Sequence, residues 1–70
     1  MIEVYKTNVQ TRQQANRIIT ILQHSFSKAR INFDLQDCDK VLRVEGIQSI
    51  DAVKVIMDLA SLGFYCEILS

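Results

Sequence analysis

Two cysteines, one histidine and two aspartates around a turn are the side chains of this sequence with chemistry to offer, and their spacing limits what that chemistry is. Metal and redox motifs set sulfurs a few residues apart. Cys38 and Cys66 stand far apart in sequence, with no second Cys or His near either. By themselves they form no motif. They fit two free thiols in a reducing compartment, one a small turn residue and the other a strand residue packed like a small hydrophobe. His24 has only Thr20 and Ser27 at helical ligand spacing, so it reads as a solvated helix residue. Asp37 and Asp39 could hold a hard ion, but turns favour Asp for local backbone hydrogen bonds. No nucleophile with a matching base appears, no Gly-rich phosphate loop is present, and paired carboxylates fall on wet faces. Catalysis has no candidate residues, and the chain is not expected to be an enzyme.

The frame around these residues is small. A chain of 70 residues is one domain, 1–70, that buries about 60% of its unfolded surface. Eight basic side chains balance eight acidic ones. That balance removes the long-range field expected of a nucleic-acid or anionic-membrane binder. No run of about 18 apolar residues and no basic leader is present, so the expected location is cytoplasmic.

The elements follow from periodicity. Ile2, Val4 and Lys6 alternate against Glu3, Tyr5 and Thr7, as in a strand with unlike faces. Ala15, Ile18, Ile19, Leu22 and Phe26 then line one helix face, with Gln13, Arg17, Thr20 and His24 toward water. Thr11 with Gln14 fits a capping box, so this helix starts at Thr11, or a turn earlier at Asn8. Ala29–Gln36 alternates again, with Ile31, Phe33 and Leu35 on one side. The polar break Asp37-Cys38-Asp39-Lys40 leads into a third strand, from Val41 or Leu42 to Glu45, making a hairpin. Ser49 is the expected cap of a second helix, with Asp51 in its first turn and Val53, Ile56, Met57 and Ala60 as its buried stripe. Gly63 suits the left-handed position that ends this helix. Phe64–Leu69 is the last strand. The order βαββαβ is α+β and ferredoxin-like, with two helices on one face of a four-stranded antiparallel sheet, order 4-1-3-2.

Certain stretches carry a resemblance: Tyr5-Lys6-Thr7-Asn8-Val9, the hairpin closing in Val44-Glu45-Gly46, and Leu62-Gly63-Phe64-Tyr65. Together they resemble the heavy-metal-associated (HMA) domain, the copper-chaperone family, over essentially the whole chain. The resemblance implies the same βαββαβ fold. It also implies a Cys-x-x-Cys between strand one and helix one that clamps a soft ion such as Cu(I). Placed by the shared elements, those two cysteine positions fall on Thr11 and Gln14. A hydroxyl and a carboxamide are hard, neutral donors and do not replace thiolates. The expectation is therefore a degenerate member with no cofactor, acting as a protein-interaction or regulatory module through an unknown protein partner or self-association.

Two alternatives accompany this reading. One is a metallochaperone with a relocated site at Cys38, aided by Cys66, binding Cu(I) or Zn(II). The other is a small-ligand sensor working as a dimer. The open sheet face and its edges are the expected interface, through Tyr5, Leu42, Val44 and Tyr65 or their alternates. Strand four is the less protected edge.

Overall fold

The computed structural model describes residues 2–69. Alternation in the sequence becomes a four-stranded antiparallel sheet. Its strands are β1 (Ile2–Thr7), β2 (Arg30–Asp34), β3 (Val41–Glu45) and β4 (Cys66–Ile68), in the order β2-β3-β1-β4. This is the expected order read from the other edge. Helix α1 (Arg12–Ser25) connects β1 to β2, and α2 (Ala52–Ser61) connects β3 to β4 after a single 3-10 turn at Ser49–Asp51. The arrangement is the ferredoxin-like βαββαβ fold. β4 is shorter than the alternation from Phe64 to Leu69 suggests.

The register decides which side chains are covered. Tyr5 pairs with Leu42 and Glu3 with Val44, while Phe33 also pairs with Leu42 and Ile31 with Val44. Paired residues share a face, so all of these point toward the helices. The helices contribute Ala15, Ile18 and Leu22 from α1 and Ala52, Val55 and Leu59 from α2 to the same core. Tyr5, Leu42 and Val44 are consequently inaccessible to solvent, which removes them from the expected interface. Of those four residues only Tyr65 is exposed. The alternates Ile2 and Val4 hold the opposite face of β1, with Ile2 half exposed.

Helix α2 also departs from expectation. Its buried stripe is Ala52, Val55 and Leu59, whereas Val53, Met57 and Ala60 are exposed; only Ile56 belongs to both patterns. The cause is the composition of the helix, which is apolar nearly all round and so offers more than one stripe to bury. Its start differs as well. Ser49 makes no capping bond, and the carboxylate of Asp51 instead accepts from the backbone N–H of Gln48 at 3.0 Å. Its end is as expected: Gly63 adopts φ 88°, and the N–H groups of Gly63 and Phe64 return to the carbonyls of Ala60 and Leu59. That pair of bonds is the Schellman motif, whose left-handed residue favours glycine.

Candidate functional site

The end of the sheet where β1 meets α1 is where the resemblance places metal chemistry. Thr11 is the N-cap of α1, and its hydroxyl accepts from the Gln14 backbone N–H at 3.1 Å. The Gln14 side-chain oxygen in turn accepts from the N–H groups of Thr11 (3.3 Å) and Gln10 (2.9 Å). The expected capping box is present and α1 begins where it predicts. Both side-chain oxygens are thus engaged by the helix start that carries them.

The hairpin tip lies at this same end. Thr7, the last residue of β1, donates from its backbone to the Asp39 carbonyl (3.0 Å) and from its hydroxyl to the Lys40 carbonyl (2.6 Å). Within the tip, Asp34 accepts from the N–H groups of Gln36 and Asp37, and Asp37 accepts from that of Asp39. Lys40 closes the turn with φ 48°, and its ammonium reaches the Leu35 carbonyl at 3.0 Å. The carboxylates therefore hold the turn, as the sequence suggests for Asp. One potential ligand atom from each of Asp37, Cys38 and Asp39 lies within 4.8 Å of the others. Cys38 is exposed. Asp39 also lies 3.9 Å from the Lys6 ammonium, an exposed pair of small energetic weight.

Cys66 does not join that group. It is buried in the core and pairs with Thr7 across β1 from the hairpin. Two strand spacings, about 10 Å, separate its backbone from that of Asp39, too far for a shared ion with a Zn–S bond of about 2.3 Å. Burial pushes its thiol up to about 12, so it is a neutral, packed side chain. Nearby, the Tyr5 hydroxyl is buried with no hydrogen-bond partner among the described residues. Burial first, and then the negative charge of Glu3, raises its ionisation well above the ordinary tyrosine range.

His24 sits exposed in the last turn of α1, at the rim of a shallow hollow of about 320 Å³ lined also by Ile19, Thr20 and Gln23. Gln23 spends its amide on the carbonyls of Phe26 and Ala29. The hollow presents no set of buried polar groups converging on one point, as a ligand site would require.

The remaining candidate is a surface that sequence reasoning only partly found. Tyr65 is half exposed, its hydroxyl donating to Glu67 at 2.7 Å, which raises the phenol's ionisation. Ile50, Val53, Met57, Ile68 and Leu69 are exposed on the same part of the chain. The signal for three of them was the apolar excess of the second helix and the turn before it. Comparison with known protein families, curated proteins and solved structures finds no match to this chain. Among the described residues no helix is long and apolar enough to cross a membrane.

Proposed function

We propose that this chain is a non-catalytic HMA-like domain without the soft-metal site, serving as a small protein-interaction or regulatory module. The observation that carries the reading is the capping box. The two side chains at the family's ligand positions, Thr11 and Gln14, direct their oxygens at backbone N–H groups of their own helix start. A soft ion there would have to displace those bonds to gain two hard, neutral donors.

A second reading is favoured by the cluster of Asp37, Cys38 and Asp39: a metallochaperone with its site moved to the hairpin tip. One thiolate with two carboxylates is a mixed donor set, and Asp37 already holds the turn. A competition titration of the reduced protein with Cu(I) and with Zn(II) against a chromophoric chelator separates the two. The expected result is that wild type fails to compete, whereas Thr11→Cys with Gln14→Cys competes. Tight stoichiometric binding by wild type sinks the lost-site reading, and its disappearance in Cys38→Ser would assign the metal to the tip.

A further inference from the structure

Helix α2 carries two apolar stripes and buries one. Ala52, Val55 and Leu59 face the sheet, while Ile50, Val53 and Met57 recur at i, i+3 and i+7 and are 76%, 62% and 62% exposed. The α1 contact fixes where this second stripe points. Ser25 of α1 donates to the Asp58 carboxylate at 3.0 Å, so Asp58 marks the flank of α2 that faces α1. At about 100° of turn per residue, Val53 and Ala60 fall on the other flank, across the buried stripe, while Met57 lies further round, toward the side of α2 turned away from the sheet. Because α2 is the helix that contacts β4, this outer flank overhangs the β4 rim of the sheet.

β4 itself is an open edge. Leu69 donates its N–H to the Val4 carbonyl at 2.8 Å, and the register pairs Glu67 with Lys6 and Ile68 with Tyr5. Hydrogen-bonded residues alternate along an antiparallel ladder, so the N–H and C=O groups of Cys66 and Ile68 point away from β1. Natural edges are commonly guarded by lysine, proline or inward-facing charge. The opposite edge, β2, exposes Arg30, Asn32 and Asp34. β4 has only Glu67, whose carboxylate is held by Tyr65, and its Ile68 side chain is 47% exposed.

We propose that the β4 edge and the outer flank of α2 together form a homodimer interface, in which the β4 strands of two copies pair antiparallel and their α2 flanks pack. The proposal rests on the interaction-module reading and names its partner as a second copy. Three observations select that occupant. An antiparallel strand edge is complementary to itself about a two-fold axis, as an isologous dimer needs. The outer flank of α2 carries Val53 and Ala60, with Met57 next to it and Ile50 in the turn before the helix, and the nearest charge, Lys54, is turned to Asp58 at 2.8 Å, so meeting its own copy opposes no like charges. With no net charge on the chain, nothing selects an acidic or basic partner either.

The area is adequate. The exposed portions of these side chains, with Ile68, Leu69 and Tyr65, amount to several hundred Å². That exceeds scattered surface apolarity and approaches the roughly 800 Å² per partner of a standard interface once the strand backbone is added. Glu67 restricts the register, since like charges directly opposite are unfavourable. A pairing centred on Ile68 sets Glu67 of one copy opposite Leu69 of the other and avoids that clash.

Sedimentation equilibrium from the micromolar to the near-millimolar range tests this, with Val53→Lys and Ile68→Lys as interface variants and Arg17→Glu on α1 as control. Val53 and Ile68 are already exposed, so far-UV circular dichroism should show each variant folded. Wild type and Arg17→Glu are expected to dimerise alike, and each interface variant to weaken the dimer roughly tenfold or more. A wild type that stays monomeric throughout, or a dimer indifferent to both lysines, overturns the proposal. Cu(I) competition on the same wild-type sample keeps the two readings apart: a monomer that does not compete sinks the dimer alone, whereas a dimer that competes sinks the lost-site reading alone.

Discussion

The half of the molecule built from α1 and the β2–β3 hairpin and the half built from α2 and β4 share one core but finish their surfaces differently. On the first side, polar side chains close backbone groups. Thr11 and Gln14 cap the start of α1, Gln23 ties its end to the following loop, and aspartates hold the hairpin tip. On the second side, Ser49 caps nothing, and Ile50, Val53, Met57, Tyr65, Ile68 and Leu69 are exposed. The one other large apolar side chain exposed among the described residues is Ile2. The difference teaches that equal burial toward a core does not imply equal completeness toward solvent. Both sides close their turns and helix ends internally and both finish in a strand edge, but the α2–β4 side gathers nearly all of the exposed large apolar side chains.

The largest expected effect tests whether the shared core is one unit. Leu22 of α1 and Leu59 of α2 are both fully buried. Leu22→Ala and Leu59→Ala should each cost about 2–5 kcal/mol in urea denaturation. In a domain whose whole stability is roughly 5–15 kcal/mol, either loss is severe. If Leu59→Ala were much the milder, the two halves would differ in packing as well as in surface.

A smaller effect concerns Cys66, which belongs to the second half but titrates as core. The folded chain keeps its thiol proton up to about pH 12, while an ordinary thiol of pKa 9.0 gives it up earlier. Between those values the unfolded chain binds fewer protons, so the contribution of Cys66, fully present below pH 9.0, is lost as pH rises through about 12. Stability measured by urea melts should fall along this alkaline limb, and Cys66→Ala should make the fall shallower, leaving the share of the buried Tyr5 hydroxyl. An unchanged limb would mean that Cys66 is more solvated than its burial indicates.

The smallest effect sharpens the contrast between the two helix starts. Thr11→Ala removes a bonded cap and should cost about 1 kcal/mol. Ser49→Ala removes a side chain with no capping bond and should fall within about 0.5 kcal/mol of wild type. Equal costs at the two positions would erase the distinction.

Much of the fold was legible because its period changes are clean. α1 has one apolar stripe, and Ile31 and Phe33 alternate against Arg30, Asn32 and Asp34, so their buried faces read correctly. β1 was ambiguous because Ile2 and Val4 on one face compete with Tyr5 on the other, and the pairing of Glu3 with Val44 turns a glutamate inward. No local pattern reports that register. α2 failed for the opposite reason, an excess of signal. Val53, Met57 and Ala60 form a stripe as plausible as the buried one, and tertiary packing chose between them. The capping box at Thr11 and Gln14 was readable outright, since it depends on residues three apart. The exposed rim was not, because it joins residues from α2 and β4 that only the fold brings together.

One threonine links movements that the sequence keeps apart. Thr7 accepts from the Val9 N–H (3.2 Å) on the loop leading to α1, while its hydroxyl and backbone donate to Lys40 and Asp39 on the hairpin. Neither segment can open far without breaking a bond to this residue. Thr7 thereby ties the loop and the hairpin turn to one residue, and amide exchange at Thr7 and Val9 is expected to proceed by a shared opening, which unequal opening free energies at the two amides would disprove.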